Sequence, residues 1–443
     1  MKHSTRTRPA LSTSDATEVV ALVATRLTDP ESVAAISDRP DNVEPVYGAS
    51  QWGPLTLANG LPGMALLHAE LAAADGRWAA VAHGQISRAA ELMSSQASNG
   101  LYAGPAALLA AVVRMEPNYA TLRRKLTAWV VADQQTRLRA CAARRDPGVS
   151  WAHYDVVNGL SGTARLLLDA GPEARPVVEE SLRYLVSRCE PIIVEGTGVP
   201  GWWVPAELQP VAADARQYPR GDFNLGLAHG IAGPLALFTA ALVRGCEVPG
   251  QRDAMRRTAT WLLDRRKYDS AGAYWPCRLS WDEETQPGPE PVFTRAAWCY
   301  GAPGIAAALH QAGQALGEPE WCAAAVAGLR AVLDRDERAW NLDGPTVCHG
   351  TSGLLQVVRR VAAASGDPAL LAAVPRLVEH TLGFADPDAP FVFAHLVPDS
   401  PLGRHADTGY RRLNVAGMLE GAAGVACALL PSTGAWDTAL MLV

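Results

Sequence analysis

The chain has 443 residues, with 39 basic and 45 acidic side chains and a net charge of −6. The basic residues are dispersed, so the electrostatic footprint of a nucleic-acid or anionic-membrane binder is missing. No stretch offers the roughly 18 uninterrupted apolar residues of a membrane-spanning helix.

At the N-terminus, Asp15 and Glu18 interrupt the chain before a signal-peptide core forms. A cytoplasmic protein without a transmembrane segment is therefore expected. Eight cysteines occur singly, and Cys141, Cys189, Cys322 and Cys427 lie inside apolar helical runs. That pattern reads as reduced core thiols rather than a disulfide framework. Residues 1–50 hold one amphipathic run, TEVVALVATRL, followed by a Pro- and Asp-rich surface connection.

From there one phrase recurs. It reads NGLPGMALLHAELAAA from Asn59, YAGPAALLAAVV from Tyr102, NGLSGTARLLLDA from Asn158 and AHGIAGPLALFTAAL from Ala228. Three further copies are CYGAPGIAAALHQA from Cys299, CHGTSGLLQVVRRVAAA from Cys348 and EGAAGVACALL from Glu420. The second copy is degenerate, with Ala107 in place of the later glycine. Between copies lie runs of helical periodicity with charged faces, such as TLRRKLTAWVVADQQTRLRA and RDAMRRTATWLLDRR. Each unit is thus an apolar helix followed by a more polar one.

An apolar helix must be buried on most sides, so the pattern predicts an inner ring of Gly-x-x-Gly helices inside an outer ring. Closing the ring removes the end faces that an open solenoid must cap. The expected fold is all-α, an α/α toroid of seven inner-helix repeats. It would span 51–443 as one domain, with the helix and connection of 1–50 packed on it. The glycines serve close packing at most motif positions.

Loops entering the fourth, fifth and seventh phrases are long and rich in Trp and Pro, and all enter at the same end of an inner helix. Function is expected on that face.

Reactive side chains precede the glycine in only some copies: His229, Cys299, Cys348, His349 and Glu420. In a closed ring they converge. Two thiolates and an imidazole suit zinc, and three protein ligands leave a fourth position open, as catalysis needs. Cys299, Cys348 and His349 are the expected ligands of one Zn2+. The competing reading is two buried thiols and a satisfied core histidine.

WCYGAPG and CHGTSG, taken with GLAHGIAG, NGLSG and LEGAAG, resemble the lanthionine synthetase C-like family of lantibiotic cyclases, from about Trp52 onward. The resemblance implies a toroid with a central catalytic zinc on Cys299, Cys348 and His349. It also implies an acid/base role for His229, with Asp155, Arg295, Trp298 and Tyr300 around the reacting groups. Arg295 and Asp155 could instead form a structural ion pair, and Trp298 could be a packing residue.

The implied reaction adds a peptide cysteine thiolate to dehydroalanine or dehydrobutyrine. Its partners would be a dehydrated precursor peptide, for which the Trp202–Trp203 loop and the stretch from Phe391 to Arg412 are the candidate contacts, a separate dehydratase and a transporter, with the protein at most peripheral to a membrane-associated biosynthetic complex. Alternatives are a glutathione-adding member of the family, a non-catalytic scaffold that binds leader peptides, and an unrelated thiol-activating zinc toroid.

Overall fold

The computed structural model describes residues 15–45, 48–93, 100–115, 118–144, 147–286, 288, 291–399, 409–431 and 434–442. The N-terminal segment forms α1 (Ala16–Arg26) and α2 (Pro30–Ser37). Six inner–outer helix pairs follow: α3 (Leu61–Ala72) with α4 (Arg77–Leu92), α5 (Gly104–Val112) with α6 (Ala120–Ala143), and α8 (Leu160–Leu167) with α9 (Arg175–Arg188). The next are α11 (Ala232–Val243) with α12 (Gln251–Asp264), α14 (Ala302–Leu316) with α15 (Pro319–Leu333), and α16 (Thr351–Ser365) with α17 (Pro368–Leu382). The seventh inner helix is α18 (Ala422–Leu429); short α7 (Trp151–Tyr154), α10 (Ala212–Gln217) and α13 (Trp281–Thr285) lie in connections.

Inner helices pack in sequence order, α3 on α5, α5 on α8 and so on, and α18 returns to α3. The fold is therefore the expected α/α toroid. Among the described residues no outer helix follows the last inner helix, and α1 packs against it instead. The N-terminal helix thus completes the outer ring. A buried His68 of α3 ties this seam, with Nε2 3.0 Å from the Ala24 carbonyl and Nδ1 2.9 Å from Gln85.

The turns that enter the inner helices are joined by backbone hydrogen bonds that run one way round the ring. Leu57 donates to Tyr102, Leu101 to Val157, Val156 to Ala228, Ala228 to Cys299, Cys299 to Cys348, Cys348 to Leu419, and Met418 back to Leu57, at 2.8–3.4 Å. Each bond satisfies a buried backbone group that the helix termini leave over.

The motif glycines permit this approach. A Cβ on Gly424 would overlap the Met418 carbonyl oxygen, and one on Gly353 the Val347 carbonyl. Gly424→Ala is expected to cost about 1–3 kcal/mol by overpacking. Gly84→Ala, where a Cβ in α4 meets nothing, is expected to stabilise by about 0.5–1 kcal/mol. Urea midpoints measure both; equal effects at the two sites would contradict the packing role.

At the centre of the ring the C-terminal residues form a plug. Trp436–Leu440 make a tight turn packed on α3 and α8. Tyr102 Oη donates to the Ala439 carbonyl at 2.7 Å, and Arg360 grips Asp437 with two bonds of 2.6 Å.

Four two-stranded antiparallel ribbons decorate the described residues. They are β1 (Pro191–Val194) with β2 (Thr197–Pro200), β3 (Asp222–Asn224) with β6 (Arg278–Ser280), β4 (Lys267–Asp269) with β5 (Gly272–Tyr274), and β7 (His395–Pro398) with β8 (Tyr410–Leu413). They lie in the long loops that precede inner helices. No described helix is long and apolar enough to cross a membrane.

Candidate metal centre and proton-transfer pair

Cys299 and Cys348 occupy neighbouring links of the hydrogen-bonded ring, so the backbone sets their thiols side by side. One ligand atom each from Cys299, Cys348 and His349 lies within 4.8 Å of the other two. A hydrogen bond from Cys348 pushes the Cys299 thiol well below its ordinary value, and contact with His349 and the Arg295 charge adds to this. Cys348 is pushed well above its own, first by Cys299 and then by burial. Such a pair accepts one negative charge readily and the second only against repulsion. A dication would answer both charges, so this donor set of two sulfurs and one nitrogen fits zinc, and three protein ligands would leave a position for a further one.

Asp343 backs the imidazole. Its Oδ2 lies 3.8 Å from His349 Nε2 and 3.5 Å from Arg295 Nη2, and its backbone N–H donates to the His349 carbonyl at 2.9 Å. At that distance the carboxylate does not hydrogen-bond the imidazole; it places a negative charge behind it and is itself anchored by the backbone bond. The sequence reading missed Asp343, although NLDGPTVCHG places it in the turn just before the ligands. Tyr410 Oη reaches the same carboxylate at 3.4 Å.

Asp155 and Arg295 do not pair with each other. Asp155 is fully buried and accepts from the backbone of Asn158 at 2.7 Å and of Gly159, which closes the turn leading into α8. Its other oxygen lies 2.6 Å from His229 Nδ1. His229 stacks on Trp151, with ring centroids 4.5 Å apart, and Tyr300 lies 6.2 Å away on its centroid. With Nδ1 engaged by the carboxylate, Nε2 is the nitrogen offered to a substrate. Burial holds the Tyr300 phenol well above its ordinary value, and Asn224 donates to its oxygen at 3.2 Å.

Two expectations change. Trp298 is fully buried and donates its indole N–H to the Leu440 carbonyl at 2.9 Å; it holds the axial plug and does not face the reacting groups. In the Trp202–Trp203 loop the two indoles are buried and do not themselves form a contact surface. Trp202 packs edge-on against Trp261, and Trp203 donates to the Arg220 carbonyl. In the stretch from Phe391 to Arg412, Phe391 and Phe393 are buried, Tyr410 turns to Asp343, and 400–408 lie outside the described residues.

His395 of β7 lies 5.5 Å from His349, ring to ring. Burial pushes it down to about 4, and burial together with nearby arginines does the same to His153. A histidine kept neutral by the fold takes its proton first in the unfolded chain. Stability should therefore be full above pH 6.5, the ordinary histidine value, and be lost as pH falls toward about 4. Each unit of depression is worth about 1.4 kcal/mol at full effect. Urea midpoints at about pH 7.5 and about pH 5 measure this; equal midpoints would contradict it.

Residues 51–434 match the family model for lanthionine synthetase C-like proteins. The nisin biosynthesis protein NisC of Lactococcus lactis subsp. lactis is 26% identical over 321 residues, 69% of this chain and 73% of that protein. A solved structure of nisin cyclase shares the fold, with a TM-score of 0.73 over 97% of each chain at 21% identity.

Proposed function

Because the chain belongs to the lanthionine synthetase C-like family, we propose that it is a zinc-dependent lanthipeptide cyclase, forming lanthionine and methyllanthionine thioethers from peptide cysteines and dehydroamino acids. The observation that carries this reading is the gathering of Cys299, Cys348 and His349 one link along the ring from the His229–Asp155 pair. Zinc held by the three ligands would keep a fourth position for an entering peptide thiol and favour its ionised form.

Addition makes an S–Cβ bond as the Cα=Cβ π bond breaks, and the electron pair moves to the neighbouring amide as an enolate. The thiol has lost one proton and the α-carbon must gain one, so mass is unchanged. His229, oriented by Asp155, is the proton carrier. Its Nε2 takes the proton as a base and returns it at the α-carbon as an acid. Arg295, tied to Asp343, sets positive charge near the developing enolate. Tyr300 presents a neutral phenol beside His229.

The substrate is a dehydrated precursor peptide, supplied by a partner dehydratase and passed to a transporter in the cytoplasm. The test is incubation of zinc-loaded protein with such a peptide, followed by thiol alkylation and mass spectrometry. Loss of alkylatable thiol at constant mass is expected. A gain equal to glutathione when that thiol is supplied would point to intermolecular addition instead. Unchanged peptide in the presence of bound zinc would leave only a binding scaffold.

A further inference from the structure

The proton carrier is held on one side by a tryptophan that has a second occupant. Arg278 of β6 lies with Cζ 5.3 Å from the centroid of the Trp151 ring on which His229 stacks. The guanidinium is itself fixed: Nε donates to Asp222 Oδ2 at 2.6 Å, Nη2 to Gln209 Oε1 at 2.8 Å, and Nη1 lies 3.2 Å from Asp214. Tyr218 covers it at 4.2 Å. Burial works against its charge, and the Asp222 carboxylate outweighs burial, so Arg278 stays above its ordinary value. Asp222 has no exposed surface.

The same ribbon reaches the other neighbour of His229. Asn224 is the cross-strand partner of Arg278, and its amide donates to Tyr300 Oη. A single pair of three-residue strands thus sets both aromatic walls of the imidazole. One strand comes from the loop before the fourth phrase and the other from the loop before the fifth. A structural ion pair needs no such placement; Asp222 alone would satisfy the charge.

We propose that Arg278 is a positioning residue for His229, acting through Trp151. The inference rests on the reading of His229 as proton carrier. A guanidinium over an indole is attracted by the ring quadrupole, and its planar fork, clamped by Asp222 and Gln209, gives the indole one orientation. The indole in turn leaves the imidazole one plane in which to meet the α-carbon. Misplacement of a reacting group by about 1 Å can cost roughly 10²-fold in rate.

The test is a double-mutant cycle read by single-turnover cyclisation of a dehydrated precursor peptide. Arg278→Met should lower the rate constant roughly 10- to 100-fold, with peptide KM and bound zinc unchanged. In a His229→Asn background it should cost less than about 2-fold, because the group it positions is gone. Trp151→Leu keeps the Asp222 and Gln209 ties of Arg278 and breaks the relay. It should match Arg278→Met alone and add nothing to it, which covers the case in which Arg278→Met disturbs the ribbon. Equal losses from Arg278→Met in both backgrounds, or no loss in the parent, overturn the proposal. Full cyclisation by His229→Asn alone would instead overturn the assignment of His229.

Discussion

Cys348→Ala should abolish metal binding and lower cyclisation by on the order of 10³-fold, with the fold intact. The magnitude follows from two effects. A free peptide thiol with a pKa near 8.5 is only about 3% ionised at pH 7, so losing metal-assisted ionisation costs about 30-fold. Losing the fixed position of the sulfur costs roughly a further 10². The fold should survive because Cys348 is held in the ring by its backbone, through the Leu419 and Cys299 bonds, and alanine keeps both. Elemental analysis of the purified protein and mass spectrometry of the alkylated peptide give the two readouts. Full cyclisation by a metal-free variant would remove zinc from the proposed function.

His229→Asn should retain zinc and lose about 10²- to 10⁴-fold in rate, the range usual for a positioned acid–base group. Asp155→Asn should act on both stability and rate, because the carboxylate has two jobs. One oxygen accepts the Asn158 and Gly159 N–H groups and the other orients His229. An asparagine can keep the turn through its carbonyl, but its amide then donates toward Nδ1, which forces the proton to Nε2 and removes the base. The melting temperature should fall modestly, because the turn bonds lose their charged acceptor, a cost of about 1 kcal/mol. Trp298→Phe provides the contrast: it strands the Leu440 carbonyl and should lower the melting temperature with little change in the chemical step. A large rate loss at unchanged stability in Trp298→Phe would return that residue to the reacting groups.

The inner ring was legible because six of the seven phrases keep the Gly-x-x-Gly spacing, and spacing survives when side chains drift. The grouping of Cys299, Cys348 and His349 followed from the same repeat, since equivalent positions in a closed ring must meet. The aromatic residues were not legible in this way. Trp298 and Tyr300 flank the same cysteine, yet the backbone bends through 298–300 and sends the indole to the axial plug and the phenol to the side of His229. Sequence adjacency cannot separate these outcomes.

The β3–β6 ribbon was hidden for another reason. Its strands are three residues each and more than fifty residues apart, with no periodicity to link Asp222 to Arg278. The role of α1 was half visible. Its amphipathic face marked a packed helix, but only the return of α18 to the first unit shows which surface lacked a partner.

The one-way circuit of backbone bonds behaves as a hoop. To draw Cys299 away from Cys348 by a fraction of an ångström, the other links must stretch with them, so displacement is shared round the whole circumference. The front loops hang from this hoop and carry none of its tension. Outside the β3–β6 ribbon they are free to diverge in length and sequence while the two thiols keep their separation. Exchange of whole loops between relatives should therefore alter which peptide is accepted and leave the metal stoichiometry as it was.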